Sequence, residues 1–402
     1  MNARADRFPL IDSLRGIAAL MIVATHVGWF SGVVTDGSVL RPYLTRLEAG
    51  IAVFFVISGF LLYRPFVKAR LLDAPPVPTR AYAWRRFLRI VPAFWVALTV
   101  VALWIGIDEL WHPRELVINY GFLQLYRGAS VANVIPQAWT LCVEVTFYAA
   151  LPLWAWLMRR LPARDFAGRL RWELGLVGAL VAGSLAYNAL LVYSGATGRI
   201  TLAPEPVLSA LPGFLDHLGL GMLLAVASVW IEQARDGRLP QPLAFLARYP
   251  SVCWAIAAVA LWFGATQIGL SGNGDETYTP AQFMGRHVLN SLIAVALILP
   301  AVFGNARRGF PRRVLGHPAL TYVGLVSYGF YLYHFAVIMQ LRRWGLHSPA
   351  LWYPAAVAGA LLLGSLSYYL VERPALSLKR LVGPRPDPVR EEAIAESAPL
   401  KV

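Results

Sequence analysis

Charge is scarce in this sequence, and acidic charge is scarcer still. Of 402 residues only 14% are Asp, Glu, Lys or Arg, against 57% that are hydrophobic, and 22 acidic residues face 36 basic ones. A chain so poor in charge cannot coat the outside of a water-soluble domain, so the composition excludes that class and indicates an integral membrane protein. Cysteine is almost missing. Cys142 and Cys253 fall near the starts of two apolar runs of opposite direction, so no disulfide between them is expected. No metal-ligand spacing is present, and no metal is expected. Short alternating apolar segments are missing too. The apolar runs are instead about 18 to 25 residues long, which excludes a β-barrel and fits transmembrane helices. The net charge of +14 would suit a nucleic-acid binder, but the basic residues lie in short loops between apolar runs, which argues against nucleic acid. The first run carries Asp12 and Arg15 and lacks a small-residue cleavage site, so it is not a cleavable leader.

What is present reads as an all-α, polytopic bundle of ten spans, near residues 10–31, 48–67, 88–106, 139–157, 173–193, 207–231, 252–270, 286–303, 319–341 and 350–371. Taking the segments between them alternately, 27 of the 36 Lys and Arg fall in one set and 8 in the other. By the positive-inside bias both termini are then expected in the cytoplasm, with odd-numbered spans running outward. The transmembrane unit is expected to occupy residues 1–375. Residues 376–402, rich in Pro and charge, read as a disordered cytoplasmic tail. The bacterial cytoplasmic membrane is the expected location, and the bilayer is the first partner.

The informative residues are the ionisable ones inside spans, since these are costly in a bilayer and mark function by default. Asp12, Arg15 and His26 share one face of the first helix. Arg15 and His26 are eleven residues apart, three turns or about 16 Å along the axis. Asp12 is close enough to Arg15 on that face to form an ion pair. The same helix also admits a plainer reading, with Asp12 and Arg15 snorkelling at the interface and His26 a satisfied core histidine. Arg85, Arg86 and Arg89 cluster where the third span begins, more tightly than topology requires, and guanidinium groups suit phosphates. Glu144, a lone carboxylate in the fourth span, is hard to explain as structure. In span six Asp216 and His217 are adjacent, so they face different ways. Span eight offers only Arg286, His287 and Asn290 at its outer end. Span nine leads through Ser327, Tyr328, Tyr331 and Tyr333 to His334. The long outer loop at 108–138 holds Trp111, His112, Tyr120, Gln124, Tyr126 and Asn133, which fit an interfacial belt or a sugar-like ligand equally well. Helix rise and direction put His26, Glu144 and His334 in one outer layer. Asp12, Arg15, Arg86 and Arg89 fall in the opposite one. A carboxylate beside an imidazole suits general-base work on a hydroxyl. An arginine-lined mouth suits a phosphorylated ligand.

Six segments in order carry a family resemblance: DSLRGIAAL with Arg15 and, ten residues on, His26; FFVISGFLL with Ser58 and Gly59; Arg86-x-x-Arg89; WTLCVEVTFY with Glu144; SYGFYLYH with Tyr328 and His334; and VERP. Over residues 7–375 the chain resembles the bacterial acyltransferase 3 family of integral membrane O-acyltransferases. The resemblance implies transfer of a short acyl group, often acetyl, from cytosolic acyl-CoA to a hydroxyl. Sugars, glycolipids, cell-envelope polysaccharides and macrolides are the acceptors it implies. It marks His26 as catalytic base with Arg15 as its partner, Glu144 as an active-site carboxylate, and Arg86 and Arg89 as donor-binding residues. Thr140 stands where many members have serine. The competing reading is a transporter or flippase, which internal repeats and interrupted helix pairs would betray; neither is evident.

Overall fold

The computed structural model describes residues 8–30, 38–127, 134–201, 205–233, 240–270, 277–304, 308–346 and 348–382. Asn133 and the tail from 383 on lie outside the described residues. The described chain is helical, without a strand beyond one isolated bridge between Ile200 and Tyr278. Its main helices are α1 (Pro9–Phe30), α2 (Gly50–Leu71), α3 (Thr79–Ile105), α4 (Trp139–Arg160), α5 (Phe166–Tyr193), α6 (Leu211–Gln233), α7 (Gln241–Arg248), α8 (Pro250–Thr266), α9 (Pro280–Val302), α10 (Pro318–Leu325), α11 (Ser327–Arg343) and α12 (Pro349–Ser367). Among the described residues, eight helical stretches are long and apolar enough to cross a membrane. The pairs α7–α8 and α10–α11, bent by 91° and 76°, bring the number to ten if each is one span. Beyond residue 375 helical turns continue to Val382, held where Trp84 donates its indole N–H to Leu378 O.

The bent pairs α7–α8 and α10–α11 correct the reading that no interrupted helix pair is evident. In the second pair the chain turns at Val326, with no proline to signal it. α1 then packs along both pieces in register. Ser13 meets Thr321 at 3.0 Å, and His26 meets His334 at 2.8 Å, each pair separated by 308 residues. The close approach depends on Gly324, where a Cβ would collide with the carbonyl of Asp12. In the same way a Cβ on Gly59 of α2 would strike the carbonyl of Leu218 on α6, and one on Gly221 the carbonyl of Val56. Small residues at such crossings let membrane helices pack backbone to backbone, where no hydrophobic force drives them together.

Buried charge fixes the ends of the bundle. Arg70 on α2 donates to Glu173 on α5 at 3.1 Å and to Met158 O at 2.7 Å, while the Tyr63 hydroxyl donates to the other Glu173 oxygen. Arg64 pairs with Glu232 at 2.6 Å, and Lys68 reaches the same carboxylate. The basic end of α2 thus carries anchoring side chains as well as topological charge.

Candidate active site

Among the described residues, two chambers gather the ionisable side chains. The first is lined by Arg15, Arg86 and Arg89, by Glu144 and Tyr148, and by Ser58 and Tyr328. The second is lined by His26, Trp29, Trp139, His217, Arg286 and His287, among others. Ile51 and Tyr331 line both and form the partition.

In the first chamber Arg86, Arg89 and Ile90 present one face of α3. Arg85 does not line it, which corrects its grouping with the other two. At 100° per residue Arg85 stands about 90° round from the centre of that face. Arg89 is partly committed, donating to Glu372 at 3.2 Å. Glu372, from the VERP segment, is 1% exposed and is a partner that the sequence reading did not assign. The Nε atom of Arg86 is buried without a partner. Asp12 lines neither chamber, and no ion pair within 4 Å joins it to Arg15 among the described residues. Arg15 faces the arginines and Glu144, so its place on the helix serves this chamber and not His26.

Glu144 also belongs to the first chamber. Ser58 Oγ donates to its Oε1 at 2.7 Å and Tyr148 to its Oε2 at 3.1 Å. The expectation that Glu144 shares a layer with His26 and orients it is therefore corrected. The reason lies in how α4 begins. The turn Pro136–Ala138 is sunk into the bundle, and Gln137 Nε2 donates to the carbonyls of Tyr331 and Leu332 at 3.0 and 3.1 Å. Thr140 meets the Tyr331 hydroxyl at 2.8 Å. Glu144, four residues further along α4, consequently lies roughly 10 Å below His334 along the bundle axis.

His26 is paired instead with His334, which is fully buried. The direction of each hydrogen bond follows from an atom that can only accept. His334 Nδ1 is 2.6 Å from the carbonyl of Tyr331, so it carries the proton. In the neutral ring Nε2 is then an acceptor, and His26 Nδ1, 2.8 Å away, donates to it. The Nε2 of His26 keeps its lone pair, and this is the ring nitrogen left to the second chamber. Phe335 and Trp29 pack edge-on around the His26 ring at 5.7 and 5.6 Å. Tyr328, whose hydroxyl donates to Ile90 O at 2.9 Å, lines the first chamber. Cys142 is buried on another face of α4 and lines neither chamber.

Arg286, His287 and Asn290, the three polar residues that the sequence offers at the outer end of span eight without a role, share one face of α9 and all line the second chamber. His287 Nε2 and Asp216 Oδ2 are 2.7 Å apart, which unites two spans that sequence spacing could not connect. Arg286 pairs with Glu48 at 2.8 Å.

The fold and site define a polytopic membrane bundle with an arginine-lined chamber and a polar, aromatic one into which an oriented imidazole opens. The chain belongs to the acyltransferase 3 family: the family model described as an acyltransferase domain matches residues 8–369. It is a multi-pass membrane acyltransferase. Acyltransferase MdmB of Streptomyces mycarofaciens is 27% identical over 98% of each chain. The exopolysaccharide production protein ExoZ of Rhizobium meliloti is 28% identical over 83% of this chain and 91% of its own. Nodulation protein 10 of Rhizobium leguminosarum bv. viciae is 25% identical over 92% and 93%. No solved structure gives a significant match.

Proposed function

We propose that this protein transfers a short acyl group, acetyl or close to it, from an acyl-CoA entering at the cytoplasmic end to a hydroxyl of a sugar, glycolipid, polysaccharide or macrolide-like acceptor in the second chamber. The observation that carries the reading is the chain from the Tyr331 carbonyl through His334 to His26, which leaves one basic nitrogen at the partition beside an arginine-lined chamber. Arg86 and Arg15 take the donor phosphates, and Arg89 completes the positive mouth. The thioester then lies near Ile51 and Tyr331. His26 Nε2 removes the acceptor hydroxyl proton, the oxygen attacks the thioester carbonyl, and the carbon–sulfur bond breaks. The departing thiolate takes the proton back from His26, giving an ester and free CoA. No enzyme nucleophile is needed. Glu144 is a positioning residue here: its carboxylate, held by Ser58 and Tyr148, balances and orients Arg15 and Arg86.

The second chamber suits a hydroxylated acceptor, since Trp29, Trp139 and Phe214 offer apolar faces beside Gln137, Asn290 and Arg199. One relative is an exopolysaccharide production protein, which is consistent with a glycan acceptor. The test is acetyl-CoA turnover by the full chain in nanodiscs, read as free thiol in the presence of candidate acceptors, together with acetyl-CoA binding by calorimetry. His26→Ala is expected to abolish turnover while keeping donor binding, and Arg86→Ala to weaken binding. A wild-type protein that neither binds nor turns over acetyl-CoA would refute the donor assignment. Equal turnover by His26→Ala and wild type would refute the base.

A further inference from the structure

Away from the His26–His334 pair, the second chamber holds another buried cluster. Asp216 and His217 lie on α6 and His287 on α9. One ligand atom from each falls within 4.8 Å of the other two, the single such group of three among the described residues. We propose that these three side chains bind a divalent transition-metal ion of the zinc class, whose remaining coordination position faces the second chamber. The inference is independent of the donor and base assigned above.

Three observations support it. First, His217 is 2% exposed, and neither of its ring nitrogens has a hydrogen-bond partner. Its Nδ1 is 3.2 Å from Asp216 Oδ1 but out of line for a hydrogen bond. A buried imidazole with both nitrogens unsatisfied requires an explanation, and a bound ion supplies one. Second, the donor set of one carboxylate and two imidazoles is that of open zinc sites, which keep a further position for water or substrate. His217 and His287 both line the chamber, so that position has somewhere to face. Third, the outer partners are in place. The Ser184 hydroxyl on α5 shares its single proton between Pro212 O at 2.7 Å and Asp216 Oδ1 at 3.2 Å, a position from which second-layer partners orient a ligating carboxylate.

The three ligand atoms, within 4.8 Å of one another, draw in around the ion, with Oδ1 of Asp216 facing His217 and Oδ2 facing His287. Ligand atoms around a tetrahedral zinc ion with bonds near 2.0–2.2 Å are separated by roughly 3.3–3.5 Å. The Asp216–His217 separation of 3.2 Å is already close to this. The Asp216–His287 separation of 2.7 Å must widen by roughly 0.6 Å as the shared proton leaves. The plainer alternative, Asp216 shared between His287 and His217, leaves both His217 ring nitrogens without an aligned hydrogen bond among the described residues.

The full chain, purified through a tag without histidine and stripped with chelator, is titrated with Co2+ and then with Zn2+. We expect the visible ligand-field absorption of a four-coordinate site, saturating at about one equivalent and bleached by Zn2+. His217→Gln and His287→Gln are each expected to lose at least about nine-tenths of that signal, while His26→Ala keeps it. No absorption by wild type in cobalt excess overturns the proposal, as does a signal that persists in both glutamine variants or vanishes in His26→Ala. Should the glutamine variants fail to fold, X-ray absorption of the zinc-loaded wild type decides. A first shell with two imidazoles and no sulfur supports the site, and any other shell overturns it.

Discussion

Replacing His334 tests whether the buried histidine pair acts as a relay. His334 touches neither the arginines nor the second chamber; its reach to the reaction is the single 2.8 Å bond from His26 Nδ1. His334→Ala removes the acceptor and leaves that N–H buried without a partner. The cost of an unsatisfied buried donor is roughly 1–3 kcal/mol, avoided only if the ring flips or moves its proton to Nε2, and either change spoils the base. At about 1.4 kcal/mol per tenfold, the productive arrangement falls in population by roughly 5- to 150-fold. The expected result is a drop of that size in kcat for acyl-CoA turnover, with donor affinity unchanged because the first chamber is intact. His334→Gln carries an amide oxygen near the lost Nε2 and should recover most of the rate. Turnover by His334→Ala within twofold of wild type would refute the relay. A glutamine variant as slow as the alanine variant would show that His334 acts through packing rather than as an acceptor.

The other predictions use different parts of the bundle. Arg86→Gln removes a charge-assisted contact worth roughly 1.5–3 kcal/mol, so KM for acetyl-CoA should rise roughly 10- to 150-fold with little change in kcat; an unchanged KM removes Arg86 from the donor site. Glu173→Gln leaves Arg70 buried without its counter-charge, at a cost of roughly 3–5 kcal/mol, and should sharply lower the temperature at which the detergent-solubilised protein aggregates. An aggregation temperature equal to wild type means that Arg70 is held by its carbonyl partners alone. Ile51→Trp fills the partition from the α2 side, where the thioester is placed, and should cut transfer by about 10²-fold. Equal transfer by this variant would mean that the acyl group does not pass there.

Some of this was legible in the sequence and some was not, and the division follows physical lines. Span number, the shared depth of His26 and His334, and the facing pair Arg86–Arg89 depend on helix rise and periodicity, which sequence carries directly. Glu144 was assigned one layer too high because the depth of a helix start cannot be read from its hydropathy. The inward fold at Pro136–Ala138 is set by Gln137 bonding to the backbone of α11. The bend at Val326 had no proline, and it arises where Gly324 lets α10 lie against α1. Asp216 and His287, 71 residues apart, meet only through tertiary packing of α6 on α9, as do Arg89 and Glu372 across 283 residues. Each member of such a pair looks like an isolated polar residue in an apolar run until the bundle is assembled.

The two chambers give the spacing of Arg15 and His26 a physical meaning that neither residue has alone. On a single rigid helix the two side chains share a face but lie about 16 Å apart, so they cannot touch. Arg15 opens into the chamber of the arginines and His26 into the other, with Ile51 and Tyr331 between. In the proposed reaction the donor's charged end needs fixed cations, whereas its thioester needs a neutral imidazole with a free lone pair. A cation close to the imidazole would disfavour the proton that the base must accept. Separating the two by three helical turns keeps the positive field at the phosphates, and the long flexible arm of the donor spans the gap. Glu144 belongs with the arginines for the same electrostatic reason. A carboxylate there tempers three like charges in one cavity, while beside His26 a neutral imidazole and a backbone carbonyl already supply the orientation that a carboxylate would give.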